Sequence, residues 1–117
     1  KKCDYAWISI HGTPGEDGIL QAYLDLLKIP YNTSGHLSSA MTFNKFIAKN
    51  YMKQFGISTA EAVLIEKGST YDLDEIIEKV GLPCFIKPNN GGSSFCTTKV
   101  THSDQLNKAI DLAFKER

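Results

Sequence analysis

The chain has 117 residues, enough for one ordinary domain or for pieces of two. Its 42% hydrophobic and 22% charged content is that of a soluble globular chain, and 13 basic against 13 acidic side chains leave no net charge. Without a long single-sign run there is no nucleic-acid footprint, no apolar run approaches a membrane span, and three cysteines without CxxC spacing argue against a disulfide scaffold or zinc site and for a reducing cytoplasm.

Tyr5 to Ile10 is apolar, β-branched and aromatic, which predicts a largely buried strand. His11 to Gly18 holds three glycines and a proline and predicts a tight loop. From Ile19 the apolar positions Ile19, Leu20, Tyr23, Leu24, Leu26 and Leu27 fit an amphipathic helix, with Glu16 and Asp17 near its start and Pro30 at its end. Strand, Gly-rich loop and helix form a βα unit, and loops at the carboxyl ends of such strands are where ligands bind.

His36 to Met41 reads as a short helical turn, and Thr42 as the cap of a helix carrying Phe43, Phe46, Ile47, Tyr51 and Phe55, closed by Gly56. Lys45, Lys49 and Lys53 repeat every four residues on another face, and Lys49 and Lys53 read as solvated. Ala60 to Glu66 predicts a strand. Asp72 and Glu75 make a capping-box-like start to a helix with Leu73, Ile76, Ile77 and Val80 on one stripe. A last helix presents Leu106, Ala109, Ile110, Ala113 and Phe114, with Ser103 as its cap.

Between these helices, Cys84-Phe85-Ile86 begins a buried strand that Lys87 and Pro88 end. Asn89 to Ser94 is a turn-forming run, and the chain extends again at Thr97 to Val100. A Gly/Ser loop with a lysine at its point of departure offers N–H groups, hydroxyls and a point charge to an anion such as phosphate. The same residues also suit a solvated hairpin. It is not a P-loop, because the lysine precedes the glycines and a strand follows.

The fold class is therefore α/β followed by α+β, with a boundary near 41–57. The start at Lys1-Lys2 without Met, and the end inside a helical pattern, predict an internal stretch of a longer protein.

His11-Gly-Thr-Pro-Gly-Glu16-Asp17-Gly18, Ile29-Pro30-Tyr31, Ser39-Ala40, Lys45, and Ile86-Lys87-Pro88 with Gly92-Ser93-Ser94 resemble, in this order, the D-alanine–D-alanine ligases. The resemblance runs from Trp7 to Phe114. It implies residues 1–41 as part of a Rossmann-like amino-terminal substrate domain, 42–57 as a connecting helix, and 58–117 as the first part of an ATP-grasp central domain.

The activity it implies is ATP-dependent joining of two D-alanines for peptidoglycan, through an acyl phosphate. D-alanine–D-lactate and D-alanine–D-serine ligases, and a non-catalytic nucleotide-binding module, are the alternatives. The resemblance also implies Mg²⁺ (or Mn²⁺) with its ligands outside this stretch, a cytoplasmic homodimeric parent, and an isolated chain without activity.

By the same resemblance Lys87 and Lys45 contact the nucleotide phosphates, and Ser93, Ser94 and Phe95 close over them. Ser93 also reaches the first D-alanine and shares a catalytic role with Lys87. His11 and Glu16 flank the D-alanine pocket. The family usually has Asp where this chain has Asn44, and Gly where it has Cys96; a left-handed backbone at Cys96 would be strained. Val63 to Lys67 looks like the family's adenine-contacting segment but precedes the Gly/Ser loop instead of following it, so that role is not assigned.

Overall fold

The computed structural model describes residues 3–92 and 96–115. In chain order the elements are α1 (Ile19–Leu26), α2 (His36–Phe43), α3 (Lys45–Lys53), α4 (Leu73–Val80), β1 (Cys84–Ile86), β2 (Thr98–Val100) and α5 (Leu106–Lys115), the last entered through a 3-10 turn at Ser103–Gln105. The chain forms two compact units, Lys1–Ala48 with Asn90–Gly92 and Lys49–Asn89 with Ser93–Arg117. The division falls inside α3.

In the first unit the Tyr5 to Ile10 segment does not become the expected buried strand. It makes one parallel bridge, Ala6 to Tyr31, with Ala6 N–H donating to the Pro30 carbonyl at 2.9 Å. The side chain of Asn32 takes the place of further ladder bonds, accepting from Ile8 N–H at 2.7 Å and donating to the Ile8 carbonyl at 3.1 Å. Ile8 is buried, but Trp7 is 77% exposed. A strand needs a backbone ladder, and the pairing segment offers Pro30, which has no N–H.

α1 forms where its periodicity predicts, but with a different inward face. Leu24 and Gln21 are the buried residues, whereas Ile19, Tyr23, Leu26 and Leu27 are exposed. Glu16 and Asp17 precede the first turn, and Asp17 Oδ1 accepts from Ile19 N–H at 3.0 Å. Lys28, not Pro30, ends the helix. It turns left-handed (φ 55°), its N–H bonds the Asp25 carbonyl, and Ile29 N–H reaches back to the Leu24 carbonyl. This is the Schellman pattern with lysine where glycine is usual.

Thr42 is not the cap of the helix that follows it. It lies inside α2, and its hydroxyl donates back to the Ser38 carbonyl at 2.8 Å. The break and the cap belong to Asn44, whose backbone is extended and whose Oδ1 accepts from Ile47 N–H at 2.9 Å. Gly56 closes α3 at φ 73°, with Ile57 N–H on the Met52 carbonyl.

In the second unit the expected strand at Ala60 to Glu66 is absent; these residues carry no regular structure up to the turn at Glu66–Ser69. Among the described residues the sheet has two strands, β1 and β2, antiparallel with Phe85 opposite Lys99, and neither pairs with residues 60–66. Asp72 caps α4, accepting from Asp74 N–H at 2.8 Å. Ser103 sits within the 3-10 turn instead of capping α5, and Gln105 Oε1 reaches back to Thr101 N–H at 3.0 Å. Val100, Leu106 and Ala109 form the core, with Leu73, Ile77, Cys84 and Ile86 packed on it. Burying such side chains contributes about 1.5–3 kcal/mol each, which fixes β1 and hence the point where Lys87 leaves the sheet.

Candidate active site

His11 and Glu16 occupy one loop, stitched by its own backbone. The N–H groups of Gly15 and Glu16 both donate to the Gly12 carbonyl at 2.9 Å. In return the Glu16 carboxylate accepts from Gly12 N–H at 2.6 Å and lies 3.5 Å from His11 Nδ1. Glu16 is thus a loop-held carboxylate, not a helix-start acid. Gly15 is buried between this loop and Ile10, where a Cβ would collide with Ile10 Cβ at 2.5 Å.

Two further parts of the same unit converge here. Asn44 and Asn90 form an antiparallel bridge, which lays the start of the Gly/Ser loop beside the first turn of α3. Lys45 Nζ donates to the Gly91 carbonyl at 2.7 Å. Gly92 lies against His11, so that an added Cβ would sit 2.7 Å from the imidazole Nε2. Three sequence-predicted residues, His11, Glu16 and Lys45, therefore gather around Gly91 and Gly92. Ser93, Ser94 and Phe95 lie outside the described residues.

Lys87 belongs to the second unit. It is exposed and follows β1 directly. Lys49 and Lys53, expected as solvated, are both engaged. Lys53 forms a 2.8 Å ion pair with Glu61, and Lys49 is half-buried with Nζ 3.5 Å from the Glu61 carbonyl. Burial pushes the Lys49 ammonium below the ordinary lysine range, and the charges of Lys87 and Lys53 push it further. Sequence reasoning missed this, since helix spacing shows which face a lysine shares but not what covers it. Glu61, eight residues beyond Lys53, carries no local signal. Cys96, after the loop, holds φ 52°, the left-handed backbone expected to be strained for a cysteine.

The family model for the D-Ala D-Ala ligase C-terminus matches residues 51–117. The chain belongs to the D-alanine–D-alanine ligase family. It is 56% identical over 116 residues to the D-alanine–D-alanine ligase of Phocaeicola vulgatus, covering 99% of this chain and 36% of that relative. It therefore spans about a third of the length of such ligases. Among solved structures, the D-alanine–D-alanine ligase of Bacillus anthracis superposes with a TM-score of 0.90 at 36% identity, over 98% of this chain and 38% of the other. A D-Ala:D-Ser ligase from Enterococcus faecalis superposes with a TM-score of 0.83 at 36% identity, over 98% of this chain and 34% of the other.

The described residues hold no group of three His, Cys, Asp or Glu side chains able to bind a metal, and no helix long and apolar enough to cross a membrane. What they do offer is cationic and N–H-rich. Within the first unit Lys45 lies on Gly91, and within the second the charge of Lys87 acts on the half-buried Lys49.

Proposed function

We propose that this chain is part of an ATP-dependent ligase that joins two D-alanines for peptidoglycan synthesis. The observation that carries the reading is the meeting of Lys45, Gly91, Gly92 and His11 in one unit, with Glu16 held beside them. A carboxylate there suits the ammonium of an amino acid, and the lysines suit the phosphates it must approach.

On this reading a carboxylate oxygen of the first D-alanine attacks the γ-phosphorus of ATP, and ADP leaves. The amine of the second D-alanine then attacks the acyl carbon, phosphate leaves, and the amine loses a proton. Lys87 and Lys45 offset charge that builds on the transferred phosphoryl group. Ser93, Ser94 and Phe95, outside the described residues, are assigned to nucleotide binding, and Ser93 also to the first D-alanine. His11 and Glu16 hold that substrate. Mg²⁺, when bound, would supply charge neutralisation at the triphosphate, and its ligands would come from other parts of the full-length protein.

We assign residues 1–41 to a Rossmann-like substrate domain, 42–57 to a connecting helix and 58–117 to an ATP-grasp central domain. The exposed Trp7 face and the outer edges of the β1–β2 pair, which meet no further strand among the described residues, are where the rest of such domains would pack. The full protein is taken as a cytoplasmic homodimer.

The likeness to a D-Ala:D-Ser ligase supports a second reading, in which the second substrate is D-serine. The test is product analysis with the full-length protein, ATP and Mg²⁺. D-Alanine alone should give D-alanyl-D-alanine, and added D-serine or D-lactate should not divert it. A mixed product dominating at equal concentrations would move the reading to that ligase, and no product from D-alanine would end it.

A further inference from the structure

Gln21 is the one polar side chain of α1 turned fully inward, with no exposed surface. Its Nε2 donates to the Gly15 carbonyl at 2.7 Å and to Thr33 Oγ1 at 3.0 Å. The orientation of the amide is fixed by chemistry: a carbonyl only accepts, so the nitrogen must face Gly15. The Thr33 hydroxyl is turned to accept because its own proton is directed to the Ser34 carbonyl at 3.3 Å. Gln21 Oε1 is buried without a hydrogen-bond partner among the described residues. A half-satisfied buried amide costs stability relative to an apolar residue of the same shape. What it contributes is the position of the groups it grips.

The gripped carbonyl is that of the Gly15–Glu16 peptide. The other end of that peptide, Glu16 N–H, is held by the Gly12 carbonyl at 2.9 Å, and the Glu16 carboxylate is held by Gly12 N–H. With its oxygen and its N–H both anchored the peptide plane is held, and together with the carboxylate's bond to Gly12 N–H this fixes where the Glu16 side chain points. We propose that Gln21 is a positioning residue for Glu16, and that through it α1 sets the affinity for the amino acid whose ammonium Glu16 faces. This rests on the ligase reading above.

The test uses the full-length protein with Gln21→Met, which keeps volume and removes both donors. Steady-state phosphate release should show KM for D-alanine raised by about tenfold, with kcat and KM for ATP within about twofold. In a Glu16→Gln background the same substitution should have little further effect, a coupling that a purely structural role would not produce. A folded Gln21→Met protein with unchanged KM for D-alanine, or with additive effects in the Glu16→Gln background, would overturn the proposal. Should that variant not fold, Thr33→Val decides, since it removes the acceptor at the far end of the bridge together with the exposed bond to the Ser34 carbonyl and leaves Gln21 in place: a raised KM for D-alanine supports the proposal and an unchanged one overturns it. Wild-type protein without any D-alanine-dependent release would instead overturn the ligase reading and this inference with it.

Discussion

The imidazole of His11 fills the space that a side chain on Gly92 would need, with Nε2 2.7 Å from the position of a Cβ there. Two segments 81 residues apart in sequence are thereby matched in shape. Gly92→Ala should push the ring aside. His11 is two-thirds exposed, so the ring can swing and the cost in stability should stay below about 0.5 kcal/mol. Turnover should fall by about tenfold, and His11→Ala with Gly92→Ala should be less than additive. Urea midpoints and phosphate-release rates on the single and double variants check both statements.

Among the described residues, two that are not glycine carry left-handed backbone, Lys28 at φ 55° and Cys96 at φ 52°. An L-residue there costs about 1 kcal/mol relative to glycine. Lys28→Gly should raise the unfolding free energy by about that amount. Urea unfolding of the variant measures this, and a loss of stability would show that the lysine side chain makes a compensating contact.

Asn44 caps α3 and, through its backbone, bridges to Asn90. Asn44→Asp should be tolerated, because a carboxylate caps as well and favours a helix N-terminus. Asn44→Ala should cost about 1 kcal/mol and also loosen the pairing that sets Lys45 on Gly91. Thermal unfolding of both variants separates the two expectations.

Asp25 joins α1 to α2, accepting from Tyr31 Oη at 2.9 Å and lying 2.9 Å from His36 Nδ1. The His36 hydrogen bond, then that of Tyr31, lowers its carboxyl from the ordinary 3.8. A depressed carboxylate contributes stability above its unfolded value, and that contribution is lost as pH falls through the folded one. Asp25→Asn should therefore weaken the protein near neutrality, and progressively less as the pH falls below 3.8. A loss that stays constant across that range would remove the ionic part of this contact.

Much of this was legible in the sequence because it depends on local spacing. The α4 stripe from Leu73 to Val80 with its Asp72 cap, Gly56 after α3, and Lys87 at the end of a short strand need no knowledge of distant residues. The strands drawn at Tyr5 to Ile10 and Ala60 to Glu66 failed for the opposite reason. Their residues favour extended backbone, but a strand exists only with a ladder partner, and one segment found Pro30 and Asn32 while the other found none among the described residues. Thr42 and Asn44 are both good caps two residues apart, and only the backbone angles chose between them. Gln21 was invisible because a polar residue on an apolar stripe reads as solvent-facing.

On the proposed ligase reading, Lys87 serves phosphoryl transfer from ATP to D-alanine in the full-length protein. The most direct measurement is phosphate release from ATP and Mg²⁺ by the full-length protein, with D-alanine and L-alanine in parallel, for wild type and Lys87→Met. The account predicts release that requires the D-isomer and falls by at least about a hundredfold without the Lys87 ammonium. Release indifferent to the isomer, or unchanged by Lys87→Met, would contradict it.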